Sequence, residues 1–290
     1  MTSDAALPDA LLEYKGNCHC GAFRFRFKAP KITAARECDC SICFKNNYLW
    51  QPPAEGSFII EKGEEDKTLV SYKFGKKVLA HKFCPTCGTS VLGRYSTELG
   101  DSVMINLRAV NDIDFWSLTR SPAFKGLKEG DPYQTPTAVS SPTDVDSSAP
   151  EAVQEIQTYH GSCHCGAVAF TLRNPGKITS ARECNCSICA RDGVAWIYPP
   201  TRNIAFRGLP EYVGEYTFAA NRTFHGFCKI CGVSIYERFI GLNDEGLERS
   251  LRRALNVRTI NHQLCNFDFV ALEIEKWDGK AKAPMYTVPT

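Results

Sequence analysis

The chemistry of this chain is concentrated in its cysteines. There are 15 in 290 residues, and all but one belong to a pattern written twice. Cys18, Cys20, Cys38, Cys40, Cys43, Cys84 and Cys87 return as Cys163, Cys165, Cys184, Cys186, Cys189, Cys228 and Cys231, at offsets of 144 to 146 residues. Seven thiols per copy cannot close into disulfides without a remainder, but they divide into a set of four and a set of three. Thiolates are soft ligands, and zinc takes them in tetrahedral geometry. The turn Cys84-Pro85-Thr86-Cys87-Gly88 lets two sulfurs converge on one ion, with glycine where the backbone suits a positive φ. Cys18 and Cys20 can supply a second pair. Cys38, Cys40 and Cys43 lie close together, and three protein ligands with an open fourth position is the pattern of a catalytic zinc. Spacing alone does not say which pair joins which pair, but up to four zinc ions per chain is the natural count.

Two other uses of the thiols stay open. All fourteen could be structural, with His19 or His81 completing the sets of three. They could be redox dithiols, although Cys84-Pro85-Thr86-Cys87 lacks a thioredoxin-like βαβ context. Cys265, with no partner in the first half, reads as a small buried hydrophobe. Arg36 and Arg182 precede the three-cysteine loops, where ion pairing with Glu37 or Glu183, charge compensation or a grip on a substrate carboxylate are the options. His81 and His225 lie three residues before the Cys-x-x-Cys turns, as hydrogen-bonded structural histidines or as bases. Trp50 and Trp196 follow the three-cysteine loops, as pocket walls or as core. Lys76 and Lys77 read as a solvated face, because Ala220 and Asn221 do not repeat the charge.

The elements that must hold these groups repeat as well. Gly16-Asn17-Cys18-His19-Cys20-Gly21-Ala22 returns as Gly161-Ser162-Cys163-His164-Cys165-Gly166-Ala167. Arg36-Glu37-Cys38-Asp39-Cys40-Ser41-Ile42-Cys43 returns as Arg182-Glu183-Cys184-Asn185-Cys186-Ser187-Ile188-Cys189. Two copies with so long a period make two domains rather than a solenoid. Residues 128–155 are rich in Gly, Pro, Ser, Thr and Asp and read as a flexible linker between domains at 1–127 and 156–290. Alternating apolar and polar residues at 22–27 and 167–172 predict strands, as do the runs 57–60, 69–74 and 90–92. Residues 247–255 read as a short helix or a loop insertion. The fold class expected is all-β, in two tandem zinc-binding domains.

Charge and hydropathy narrow the function. Lys+Arg is 34 and Asp+Glu 32, a net +2, which gives no electrostatic footprint for nucleic acid. No run approaches the ~18 apolar residues of a membrane helix. Residues 1–16 do not read as a secretory signal, so a cytoplasmic location with reduced or metal-bound thiols is expected.

The order Gly-x-Cys-His-Cys-Gly, Cys-x-Cys-Ser-x-Cys, Phe-Cys-x-x-Cys-Gly resembles the glutathione-dependent formaldehyde-activating enzyme family, which also includes the centromere protein V domain. The resemblance covers residues 14–127 and 159–285, with all seven cysteines present twice where the family has a single domain. It implies a β-tent fold. It implies a structural zinc on Cys18, Cys20, Cys84 and Cys87, repeated on Cys163, Cys165, Cys228 and Cys231. It implies a second zinc on Cys38, Cys40 and Cys43, repeated on Cys184, Cys186 and Cys189, and carbon–sulfur lyase chemistry on glutathione adducts. Physics agrees with a thiol substrate. Zinc under three thiolates has a net negative formal charge and is a weak activator of water, yet it takes a further soft ligand, and a coordinated thiol loses its proton. The expected function is a zinc-dependent carbon–sulfur lyase or adduct-forming enzyme, with glutathione as a possible cosubstrate. The alternatives are a zinc-dependent lyase, dehydratase or isomerase for another small metabolite, and a non-catalytic zinc-stabilised binding module. The sequence identifies no acid or base. Two copies in one chain can pack as a pseudo-dimer.

Overall fold

The structure, a computed structural model, describes residues 10–97, 100–121, 123–128, 132–141, 155–282 and 285–289. Residues 1–9 of the segment read as no secretory signal, and 129–131 and 142–154 of the expected linker, lie outside the described residues.

Phe23, Phe25 and Phe27 are fully buried while Arg24 and Arg26 between them are half-buried, the period-2 burial that a strand requires. The strand Arg24–Ala29 pairs antiparallel with Leu12–Asn17 on one side and Ile59–Lys62 on the other. The second repeat builds the same three-stranded sheet from Ile156–Ser162, Ala169–Pro175 and Ile204–Arg207. Each repeat adds a larger sheet. The first has five strands, in the order Trp50–Gln51, Gly100–Asn106, Ser90–Thr97, Leu79–Phe83 and Val70–Tyr72. The second has seven, in the order Val213–Tyr216, Thr223–Cys228, Ser234–Phe239, Arg253–Asn256, Trp196–Ile197, Ser180–Cys184 and Glu273–Trp277. The chain is mostly β, with short helices, as the alternation predicts. The strand expected at 22–27 begins two residues later, because Cys18 N–H donates to the Phe23 carbonyl and ties 18–23 into a turn. Residues 249–251 form a 3-10 turn and Arg253–Asn256 a strand, so the segment 247–255 is a loop entering the sheet rather than a helix. No helix among the described residues is long and apolar enough to cross a membrane.

The two repeats interlock through their short helices. Ser41–Asn46 packs against the turn Val257–Thr259 of the second repeat, and Ser187–Asp192 against Leu107–Ala109 of the first. Ile42, Tyr48 and Trp50 belong to the same apolar cluster as Tyr159, Phe170 and Leu172 of the second repeat. Lys45 is buried in this contact, and its ammonium donates to the carbonyls of Ser162 and Thr259 and to Asn261 Oδ1, at 3.2, 3.2 and 3.0 Å. Arg191 takes the matching place and donates to the Asn17 carbonyl and Asn111 Oδ1. Each charged hydrogen bond contributes about 1.5–3 kcal/mol, and removing the donor leaves buried acceptors unpaired. Lys45→Met is expected to cost about 3 kcal/mol, read as a lowered urea midpoint at unchanged slope; an unchanged midpoint would mean that the helix does not hold the repeats together.

Residues 132–141 lie against the second repeat. Tyr133 Oη donates to the His164 carbonyl at 2.7 Å, Thr171 Oγ1 donates to the Val139 carbonyl at 2.5 Å, and Pro136 sits over Gly166. The end of the chain does the same to the first repeat: Tyr286 Oη donates to the His19 carbonyl at 2.6 Å, and the Pro289 carbonyl covers Gly21. The stretch whose average composition suggests a linker thus begins with an anchored arm, because a tyrosine and a proline in a polar segment suffice to dock it.

Candidate metal centres

Four groups of cysteine sulfurs converge, each with all its sulfurs within 4.8 Å of one another. Two are the fours, Cys18, Cys20, Cys84, Cys87 and Cys163, Cys165, Cys228, Cys231. Two are the threes, Cys38, Cys40, Cys43 and Cys184, Cys186, Cys189. All fifteen cysteines are free. The structure thereby answers the pairing that spacing leaves open.

The fours are made by two turns. In the first repeat Gly21 and Gly88 have φ of +73° and +77°, letting the chain fold back after each cysteine pair. The Phe23 N–H donates to Cys18 Sγ at 3.3 Å, and the second repeat copies this with Val168 and Cys163. Cys18, Cys84 and Cys87 are buried, with Cys20 half-buried.

The threes sit where a strand end meets a helix. Cys40 and Cys186 cap the helices Ser41–Asn46 and Ser187–Asp192, and Cys43 and Cys189 lie in their first turns. The indole N–H of Trp50 donates to Cys43 Sγ, and that of Trp196 to Cys189 Sγ, both at 3.4 Å. Both indoles are buried, so these tryptophans are core and sulfur donors at once. Gly126 and Gly279 lie so close to Cys38 and Cys184 that a side chain would collide with the sulfur. Hydrogen bonds from the neighbouring thiols of Cys40 and Cys43 pull the Cys38 thiol down to about 3, while Cys40 is pushed up to about 12, chiefly by Cys38. Cys184 and Cys186 behave alike. Each group of three therefore holds one negative charge readily and resists more until a cation arrives.

The remaining sequence candidates fall in distinct places. Neither His19 nor His81 belongs to a group of three. His19 Nδ1 and Nε2 are each 2.9 Å from a hydroxyl of the second repeat, Tyr216 Oη and Ser187 Oγ. His164 reciprocates, with Tyr72 Oη at 2.7 Å and Ser41 Oγ at 2.8 Å. Burial lowers both histidines to about 3, so they are neutral, one nitrogen donating and the other accepting. Each four-cysteine loop thus grips the serine beside the opposite repeat's group of three. Arg182 pairs with Glu275 at 3.0 Å and lies over Trp277, while Glu183 pairs instead with Arg258 at 3.2 Å. Arg36 makes no ion pair among the described residues, and Glu37 faces Arg120 at 3.7 Å. Lys76 and Lys77 are exposed. Cys265 is half-buried and donates to the Asn261 carbonyl at 3.3 Å.

His81 and His225 differ. His81 is buried between Tyr48 and Phe74, with neither ring nitrogen hydrogen-bonded, and burial lowers it to about 4. His225 Nδ1 lies 3.1 Å from Glu237 Oε1, and Glu237 Oε1 is 3.5 Å from Cys189 Sγ. Burial would lower His225, but Glu237 and Asp192 outweigh it and raise it. Asp192 is itself pushed up to about 7 by burial. Glu237 and Asp192 escaped the sequence reading. The signal available was their mismatch with Gly93 and Asn46, which occupy the same register positions opposite His81 and in the first helix.

A Rhodobacter sphaeroides protein of known crystal structure is 25% identical, matching 41% of this chain and 98% of its own, with a TM-score of 0.33. The sequence pattern of the family described as glutathione-dependent formaldehyde-activating enzyme matches residues 13–121 and again 158–249. Those regions span most of the chain and carry all four cysteine groups, so the protein belongs to the glutathione-dependent formaldehyde-activating enzyme family.

Proposed function

We propose that this chain is a zinc-dependent enzyme that forms or breaks a carbon–sulfur bond in a glutathione-type thiol adduct. The observation that supports it is the contrast between clusters. Four convergent thiols close a tetrahedron, whereas Cys38, Cys40, Cys43 and Cys184, Cys186, Cys189 leave a fourth position free. The donor chemistry fits zinc. These are free, largely buried thiols, soft in character, which cannot ionise together without a cation. Zinc in a group of three would supply a position where a substrate sulfur binds as thiolate and where a departing sulfur is received.

The chain's own residues shape that position. The indole N–H groups of Trp50 and Trp196 and the Cys186 N–H, which donates to Cys184 Sγ at 3.4 Å, draw charge from the ligating sulfurs and fix their direction. Tyr48 and Trp50 beside the first group, and Trp196, Tyr198 and Phe239 beside the second, exclude water. His19 and His164 hold Ser187 and Ser41, and with them the helix starts that carry Cys186 and Cys40.

Glutathione is expected to bind the zinc-loaded protein through its sulfur, with S-methylglutathione at least tenfold weaker. Calorimetry and zinc-edge spectroscopy read this, on the wild type and on Cys40→Ser/Cys186→Ser. Binding should tighten with rising pH as the ligand thiol loses its proton. Equal binding of both ligands with unchanged zinc coordination would reject the thiol mechanism.

A further inference from the structure

We propose that the two repeats have divided their labour: the group Cys184, Cys186, Cys189 is the ligand site, entered through a cleft roofed by the first repeat, and its counterpart in the first repeat is closed. The proposal rests on the thiol reading above and names the working site and the ligand's second feature, a carboxylate.

A cleft of about 1070 Å³ runs between the repeats and reaches Cys184 and Cys189. That is the size of a small-molecule site. Its floor is the helix Ser187–Asp192 with Ala190, its roof includes Phe115 and Trp116 of the first repeat, and Tyr286 of the terminal arm closes one side. At the matching place in the first repeat the helix carries Phe44 instead of Ala190. The Phe44 ring meets Phe269 edge-on at 5.3 Å, and the Arg258 guanidinium lies over Phe269 at 4.3 Å. One half-buried aromatic side chain thus stands there where the second helix carries only the methyl group of Ala190.

The cleft is built for an anion. Arg108 and Arg191 line it and are buried. Arg108 donates to the carbonyls of Asn47 and Ala190, and Arg191 to the carbonyls of Asn17 and Ser187 and to Asn111 Oδ1. Neither makes an ion pair among the described residues, whereas Arg258, the counterpart of Arg108, has Glu183. Of the acidic residues lining the cleft, Glu183 is thus engaged, and Asp112 and Asp114 are exposed. Glu183 and Glu37 lie near Arg108, and Cys18, Cys87 and Asp192 near Arg191, but none is hydrogen-bonded to either guanidinium, so a ligand carboxylate can supply the directed pairing that both lack. The second group also has Glu237 beside it, where the first repeat has Gly93 and leaves His81 without a partner. The ligand class is a thiol carrying at least one carboxylate, sulfur toward the cysteines and carboxylate toward Arg108 and Arg191.

The test is titration calorimetry of the zinc-loaded full chain with glutathione. One equivalent per chain is expected. Cys40→Ser should keep that equivalent and Cys186→Ser should lose it. Ala190→Phe should weaken binding at least tenfold with melting temperature and zinc content unchanged; Ala190→Leu serves if the larger ring disturbs the helix. Two equivalents, loss with Cys40→Ser but not Cys186→Ser, or full affinity in a folded Ala190 variant would overturn the division of labour and leave the thiol reading standing. Equal binding of S-methylglutathione, abolished by Ala190→Phe, would sink the thiol reading and keep the cleft. No binding to the wild type would overturn both.

Discussion

Replacing Cys228 by serine is expected to abolish cooperative folding of the second repeat, whereas replacing Cys186 is expected to leave it folded. Cys228 is fully buried, its sulfur lies 3.6 Å from that of Cys165, and it shares an apolar cluster with Val168, Phe170, Leu172 and Val233. Zinc held by four thiolates contributes about 10–16 kcal/mol to a small metal-dependent fold, as much as the whole stability of an ordinary domain at about 5–15 kcal/mol. A serine hydroxyl stays protonated and hard, so little of that is recovered. Cys186 is half-buried at the start of a helix, and its group has only three protein ligands to lose. The same contrast is expected between Cys84 and Cys40. Thermal melts followed by circular dichroism, with zinc counted by elemental analysis, read the difference. Equal destabilisation by both kinds of serine variant would mean that every cysteine group is structural, and the enzymatic reading would lose its site.

Much of this was legible in the residues. The doubled cysteine pattern divided the thiols into fours and threes without fixing which pairs join, and the alternation of Phe23, Phe25 and Phe27 with arginines announced a strand, because a two-residue period is local information. What stayed hidden is what one repeat does to the other. That His19 reaches Ser187 and Tyr216, and His164 reaches Ser41 and Tyr72, depends on how two folded units face each other, and no spacing within a unit encodes it. The anchored arms lay within reach. Tyr133-Gln134-Thr135-Pro136-Thr137 returns as Tyr286-Thr287-Val288-Pro289-Thr290, but the first copy is embedded in linker-like composition and an average over that stretch conceals it. The asymmetry between repeats was also on the surface of the sequence, as Phe44 against Ala190 and Gly93 against Glu237. Both are single-residue differences within otherwise repeated segments, and their meaning lies in the folded cleft and the buried carboxylate.

Gly232→Ala is expected to be a strongly damaging methyl addition at the contact between the repeats. Gly232 has φ of +73°, and a Cβ there would lie 2.6 Å from the ring of Phe83, which belongs to the first repeat and is itself buried. Two costs therefore add. The left-handed backbone costs a non-glycine residue about 1–2 kcal/mol. Overpacking a rigid ring adds about 1–3 kcal/mol. Gly241 separates them, since it has φ of +78° and nothing within 4 Å of an added Cβ. Gly241→Ala should cost about 1 kcal/mol and Gly232→Ala about 3 kcal/mol, by urea unfolding at constant slope. The excess should shrink when Phe83→Leu is combined with Gly232→Ala, a coupling of about 1–2 kcal/mol for residues in contact. The pseudo-symmetric pair gives an independent reading, because Gly88, at φ +77°, would meet Phe227 of the second repeat at 2.6 Å. The aromatic ring of each repeat is thus seated on the glycine that follows the last cysteine of the other, so the same two positions terminate a metal-binding turn and admit the neighbouring repeat. Equal costs at Gly232 and Gly241, with no relief from Phe83→Leu, would show that the repeats do not press on each other there, and the interlocked arrangement that roofs the cleft would lose its support.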